Sequence, residues 1–177
     1  TVRFPETTTV FVDRFLVTAE AYSVPVVLVF NKTDIYDSDD LEYVDALIHL
    51  YSTIGYTCIK TSVLTGEEMS EVRKLVCGKI TLLAGHSGVG KSSIVNTLQK
   101  EATQKVGKIS DYHNKGMHTT TFSEMIELER GGFIIDTPGI KGFGTIDMTT
   151  AEVSHYFPEI FRVASKCKFY NCLHLNE

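Results

Sequence analysis

The segment GHSGVGKSS, residues 85–93, constrains the fold of this chain more than any other stretch. Its glycines let backbone N–H groups turn inward around phosphate groups, Lys91 can reach the β- and γ-phosphates, and the Ser92 hydroxyl can ligate Mg²⁺. An apolar run before it predicts a strand, and the residues after it predict a helix whose positive end faces the same anion. The predicted nucleotide contacts are Gly85, Ser87, Gly88, Val89, Gly90, Lys91, Ser92 and Ser93. This motif does not distinguish ATP from GTP.

Short apolar segments rich in β-branched residues alternate with amphipathic segments along the chain. Buried strands are predicted at 25–30, 56–62, 79–85 and 133–139, and helices at 7–22, 39–51, 66–77 and 91–100. Gly131-Gly132 lies between two further apolar segments, 122–128 and 131–136, as in a hairpin. This order predicts an α/β P-loop NTPase fold, with a mostly parallel sheet, helices on both faces and one antiparallel edge strand.

The segment VLVFNKTD, residues 27–34, ends an apolar strand with a pattern that suits guanine recognition. The Asp34 carboxylate can accept hydrogen bonds from N1–H and the 2-amino group of guanine, whereas adenine would leave it unpaired. Asn31 is predicted to hold the loop, and the Lys32 stem to cover the base. The pair Ser62-Val63 ends the next strand and is predicted to offer a backbone N–H to guanine O6. Taken alone, each pattern is also compatible with an ordinary turn or strand end.

Two further segments predict contacts with Mg²⁺ and the γ-phosphate. Asp136 closes an apolar strand, where an acid can hold the Mg²⁺ shell, and the N–H of Gly139 can reach the γ-phosphate. Thr119 and Thr120 end a long polar stretch at 101–121 and are predicted to complete the Mg²⁺ shell when the γ-phosphate is present. A β-turn and a threonine-rich strand start are the alternatives.

The motifs occur in a rotated order compared with an ordinary GTPase, in which the phosphate cradle comes first. Here the guanine motif and its following turn precede the cradle, and the switch threonines and the Mg²⁺ acid come last. Cutting a chain at one surface loop and joining its old ends leaves the sheet and the site intact. The sequence therefore predicts a circularly permuted GTPase domain.

With this order of motifs, the sequence resembles the RsgA/YjeQ family, circularly permuted GTPases of small-ribosomal-subunit assembly. The matching stretches are VDRFLVTAEAYSVPVVLVFNKTD, GHSGVGKSSIVNTL, KGMHTTT, IDTPGIKGFG and the tail CKFYNCLH. The resemblance implies binding of GTP or GDP, hydrolysis of GTP, and the small ribosomal subunit and its rRNA as partners. It implies an RNA-binding β-barrel before the GTPase domain, so we expect a truncated chain in which TVRFP is a remnant of the first GTPase strand.

The family layout also implies a zinc-bearing helical domain at the C-terminal end. We therefore divide the chain into a GTPase domain, 1–148, and the incomplete start of the zinc domain, 149–177. Cys167, Cys172 and His174 have a spacing that suits tetrahedral Zn²⁺, but a fourth ligand is absent from the sequence. Two alternatives stay open for these residues, a structural zinc ion or thiols without a bound metal.

Catalysis is predicted to be slow without a partner. Position 140 is isoleucine, where many GTPases carry a glutamine that orients the attacking water. His118 is the candidate for this task, because it is polar, lies beside the switch threonines and titrates near neutral pH. His118, Lys91 and Thr120 are the predicted catalytic residues. The alternative for His118 is that it only shapes the loop.

Composition limits the partners that the chain is expected to bind and the compartment in which it is expected to work. The net charge of −5 at pH 7 does not indicate a basic nucleic-acid surface, so this stretch alone is expected to bind RNA poorly. No long apolar run or signal-peptide pattern is present, and the four cysteines form no disulfide framework, which predicts a cytoplasmic protein away from membranes. We also expect a monomer. The competing hypotheses are a P-loop kinase, a non-catalytic nucleotide switch and a GTPase of another assembly step.

Overall fold

The computed structural model describes residues 1–103, 124–137, 148–169 and residue 172, and these residues alternate between helices and strands. The elements are α1 (Thr9–Ala21), β1 (Val27–Asn31), α2 (Ser38–Ile54), β2 (Thr57–Thr61), α3 (Met69–Val76), β3 (Ile80–Leu83), α4 (Lys91–Thr103), β4 (Glu124–Glu127), β5 (Phe133–Asp136), α5 (Thr150–Val153) and α6 (Pro158–Ala164). Short 3₁₀ turns occupy Thr33–Ile35 and Ser154–Tyr156. Each helix and strand predicted from the sequence is present, with ends that shift by a few residues.

The described strands form two ladders. β1 pairs in parallel with β2, so that Val27 lies opposite Thr57 and Asn31 opposite Thr61. β3 pairs in parallel with β5, which pairs antiparallel with β4 through the turn at Gly131-Gly132. The parallel pairing and the antiparallel hairpin strand are as predicted. β1 and β3 share no ladder hydrogen bonds.

Helices cover both faces of the β1–β2 ladder. Val29 and Ile59 pack on one face against a core supplied mainly by α3 and α4. The buried members of that core are Met69, Val72, Val76, Ile94, Val95, Leu98, Leu128 and Ile134. Leu28 and Phe30 pack on the opposite face against buried residues of α1 and α2. Because successive side chains of a strand point to opposite faces, the continuous apolar run of β1 serves both cores.

The core under α3 and α4 also holds the two ladders together. Leu83 of β3 and Ile134 of β5 belong to the same cluster as Val29 of β1. Ile134 has 0% exposure, and burying a side chain of this size contributes about 2 kcal/mol. The two ladders therefore share a hydrophobic layer, and their carboxyl ends lie near each other at the loops described below.

Residues Thr1–Thr8 precede α1, and we call them the N-terminal strap. They form no strand, so the prediction that TVRFP is a strand remnant is wrong. Phe4 has a φ of 47°, which lies outside the extended region, and Pro5 has no N–H to donate to a ladder. The strap is held instead by side chains of the β1–α2 connection, through hydrogen bonds and an ion pair.

The C-terminal elements pack beside α1 and the end of α2. A capping box between Thr149 and Glu152 starts α5. Arg162 of α6 donates a hydrogen bond to the carbonyl of Ile54, which satisfies an acceptor at the C-terminal end of α2. The domain boundary between residues 148 and 149 stays a prediction. Across the described ranges, no helix is long and apolar enough to cross a membrane.

Candidate nucleotide-binding site

The predicted phosphate cradle is the loop between β3 and α4. α4 begins at Lys91, so the backbone N–H groups of its first turn lie at the end of this loop, as an anion site requires. Gly90 shows why the loop needs glycine: its φ is 99°, and an added Cβ would lie 2.3 Å from Nδ2 of Asn31. The loop therefore approaches the guanine motif closely at Gly90.

Lys91 is buried in the cradle, with 9% of its surface exposed. Its Nζ donates hydrogen bonds to the carbonyls of Gly85 at 2.9 Å and His86 at 3.0 Å. Burial lowers the pKa of the Lys91 ammonium, and the Asp136 carboxylate opposes this shift. A cation held by loop carbonyls at a helix N-terminus is well placed to meet phosphate oxygens.

Ser92 and Asp136 meet at the carboxyl ends of β3 and β5. The Ser92 hydroxyl donates to Oδ2 of Asp136 at 3.1 Å, and Asp136 is only 6% exposed. Thr137 ties the two strand ends together by donating to the carbonyl of Leu83 at 2.7 Å. A hydroxyl and a carboxylate side by side form an oxygen donor set that fits Mg²⁺, as the sequence predicted for this pair.

Asn31 joins the guanine motif to the cradle. This side chain is 4% exposed, and its Nδ2 donates to the carbonyl of Val89 at 2.9 Å. Its Oδ1 accepts the N–H of Val63 at 3.4 Å, so one amide bridges the guanine motif, the cradle and the turn after β2. The hydroxyl of Tyr36 donates to the Asn31 carbonyl at 2.8 Å and fixes the backbone of the motif.

Asp34 and Ser62 contact each other through their side chains. The buried Ser62 hydroxyl donates to Oδ1 of Asp34 and accepts the N–H of Thr65 at 3.2 Å. Asp34 itself is exposed, so the carboxylate is oriented by Ser62 and open to a ligand. The sequence assigned only a backbone contact to the Ser62-Val63 turn, and this hydroxyl was missed because serine is also common in plain turns.

Lys32 contacts a residue that the sequence did not single out. It adopts a left-handed conformation with a φ of 73°, and its Nζ donates to the carbonyl of Phe4 at 2.6 Å. Phe4 contributes a backbone atom, which no side-chain pattern can reveal. In addition, the rings of Phe11 in α1 and His86 in the cradle lie 4.1 Å apart.

Other predicted site residues lie on the surface or outside the described residues. Ser87 and Gly88 are exposed on the cradle, and Ser93 is exposed in the first turn of α4. His118, Thr119, Thr120, Gly139 and His174 fall outside the described residues. The structure therefore brings together the guanine motif, the turn after β2, the cradle and Asp136.

The predicted zinc ligands are described only in part. Cys167 and Cys172 are half-buried after α6, and none of the four cysteines forms a disulfide. Among the residues that the structure describes, no group of three or more His, Cys, Asp or Glu side chains could hold a metal ion. Zinc at this tail accordingly stays a prediction.

A family profile and the similar proteins of known sequence point to the same family. A profile of the RsgA GTPase family matches residues 1–146. The small ribosomal subunit biogenesis GTPase RsgA of Phocaeicola vulgatus is 61% identical over the whole chain, and that of Porphyromonas gingivalis is 56% identical. The chain spans 57% of the length of each of these relatives.

Two solved structures share the fold. YjeQ from Thermotoga maritima has a TM-score of 0.78 at 36% identity, with 99% of this chain and 58% of that chain covered. YloQ, described as a circularly permuted GTPase, has a TM-score of 0.75 at 30% identity, covering 99% and 55% of the two chains. The predicted P-loop fold is thereby confirmed. The profile match and the identity with these relatives show that this chain belongs to the RsgA GTPase family.

Proposed function

We propose that the protein containing this chain hydrolyses GTP to GDP and phosphate, and acts in late maturation of the small ribosomal subunit. The observation that carries the proposal is the Asn31 amide, which joins the guanine motif to the phosphate cradle. A base-reading loop and a phosphate-binding loop tied by one buried side chain suit a single guanine nucleotide. The names of the relatives support the small ribosomal subunit as the target.

The residues present suit a mechanism in which the protein positions the nucleotide and stabilises the charge on its phosphates. Asp34 would read the base, and Lys91 would neutralise charge on the β- and γ-phosphates. Ser92 and Asp136 would hold Mg²⁺, with Thr119 or Thr120 completing its shell. When bound, Mg²⁺ supplies positive charge beside the phosphates. The N–H of Gly139 would meet the γ-phosphate.

Stimulation by the ribosomal subunit is the direct test of this function. The complete protein should release phosphate from GTP slowly, because Ile140 cannot orient water, and purified small subunits should accelerate release at least about tenfold. Large subunits should have no such effect. A Lys91→Ala protein serves as the control, since its phosphate release should stay at background with either subunit. Equal stimulation by both subunits, or by neither, would contradict the proposed role.

His118 is the residue we propose to position the water. His118→Ala should lower the stimulated turnover by about ten- to a hundredfold, because an imidazole can orient water and accept a proton near neutral pH. GDP affinity should stay near that of the unsubstituted protein. His113→Ala, a change in the same polar stretch, provides a matched comparison. A large loss of GDP binding in His118→Ala would show that the residue shapes the loop instead.

A nucleotide-dependent binding switch is the second candidate, and the isoleucine at position 140 favours it. Such a protein would exchange partners on binding GTP or GDP and would show weak turnover that no ribosomal particle raises. We further propose a cytoplasmic monomer that contacts rRNA through parts of the protein outside this chain. Cys167, Cys172 and His174 would hold structural Zn²⁺ with a fourth ligand from elsewhere.

A further inference from the structure

The N-terminal strap touches both halves of the nucleotide site. On the guanine side, the Phe4 carbonyl accepts a hydrogen bond from Nζ of Lys32 at 2.6 Å. On the phosphate side, Cδ of Pro5 lies 3.5 Å from the position that a Cβ of Gly88 would occupy. The strap therefore spans the loops that are predicted to bind the base and the phosphates, although none of its residues belongs to a nucleotide-binding motif.

The contact between Phe4 and Lys32 joins two unusual backbone conformations. Phe4 has a φ of 47° and Lys32 a φ of 73°, and both are left-handed residues with bulky side chains. Such conformations are unfavourable for residues with a Cβ, persist only when the surroundings impose them, and cluster at functional sites. Here each of the two residues helps to hold the other, because the carbonyl of one accepts from the ammonium of the other.

Arg3 anchors the strap to the start of α2. Its guanidinium contacts Oδ2 of Asp37 at 3.0 Å and Oδ2 of Asp40 at 3.1 Å. These two carboxylates also form the capping box of α2, which begins just after the guanine motif. The adjoining residue is held too, since the Val2 N–H donates to the hydroxyl of Tyr36 at 3.1 Å.

We propose that the strap is part of the guanine-nucleotide site, and that Arg3 is a positioning residue that acts through the Phe4 carbonyl on Lys32. Arg3 holds the strap on α2, the strap presents the Phe4 carbonyl, and that carbonyl fixes the end of the Lys32 side chain. A lysine stem held at its end covers the base at a lower entropic cost than a freely rotating stem. This inference rests on the proposed function.

The test is a titration of GDP into the full-length protein and its variants. Arg3→Ala should weaken GDP binding about fivefold, an effect of the size expected for an ion pair that is partly exposed. Arg3→Lys keeps the charge and should recover most of the affinity. Lys60→Ala is the control, because it removes an exposed ion pair to Asp45 of α2, the helix that Arg3 also contacts. It should leave GDP affinity unchanged. Thermal melting establishes that each variant is folded.

A double-substitution cycle separates positioning from a general structural effect. If Arg3 acts through Lys32, Arg3→Ala should weaken GDP binding much less when Lys32 is already alanine than when Lys32 is present. Equal fold losses in both backgrounds, or no loss in Arg3→Ala, would overturn the inference while leaving the proposed function in place. Failure of the unsubstituted protein to bind GDP would overturn both.

Discussion

Replacing Asp34 by asparagine is expected to weaken GDP binding by roughly a thousandfold and to create affinity for xanthosine diphosphate. A carboxylate can accept hydrogen bonds from both N1–H and the 2-amino group of guanine, whereas an amide offers one acceptor and one donor. The donor would face the 2-amino group, and unmatched polar groups in a binding site are costly. Xanthine carries an oxygen at this position, which can accept from the amide.

The surroundings of Asp34 indicate that this substitution will be tolerated by the fold. The carboxylate is exposed and accepts a hydrogen bond from the hydroxyl of Ser62, which an amide oxygen can also accept. GDP and xanthosine diphosphate titrations would check the prediction. Asp45→Asn, on the exposed side of α2, is the matched control and should change neither affinity. Unaltered GDP affinity in Asp34→Asn would remove Asp34 from the base site.

Local patterns in the sequence were sufficient to predict much of the fold and the positions of the main loops. The apolar runs of β1, β2, β3 and β5 have the length and composition of buried strands, and each ends in polar residues or glycine. Carboxyl ends of parallel strands lie at one edge of a sheet, so Asn31 and Asp136 could be expected near the cradle. Permutation changes the order of these segments but not their local patterns.

The contacts between distant segments could not be predicted in the same way. The bond between Lys32 and Phe4 uses a backbone carbonyl, and its geometry depends on left-handed conformations that neither residue favours by itself. Ser62 orients Asp34 across 28 positions of sequence, through a hydroxyl that would be unremarkable in a turn. Arg162 contacts the end of α2 only because α6 packs beside it. Tertiary packing decides each of these contacts.

Gly90→Ala is expected to destabilise the fold by about 2–4 kcal/mol and to weaken GDP binding more than about a hundredfold. The left-handed φ of 99° at Gly90 is unfavourable for alanine. The new Cβ would also lie 2.3 Å from Nδ2 of Asn31 and would force this buried amide away from the Val89 carbonyl. Because the same amide bridges the cradle and the guanine motif, both stability and affinity should fall together.

Gly131→Ala separates the two causes of that loss. Gly131 has a similar left-handed φ of 80°, and nothing lies within 4 Å of the position that a Cβ would take. Gly131→Ala should therefore lower the free energy of unfolding by about 1 kcal/mol, from backbone strain alone, and should leave GDP affinity unchanged. Urea unfolding and GDP titration on the full-length protein measure the two quantities. Equal destabilisation by both substitutions would mean that Asn31 can move aside without cost, and that its bridge does not hold the site together.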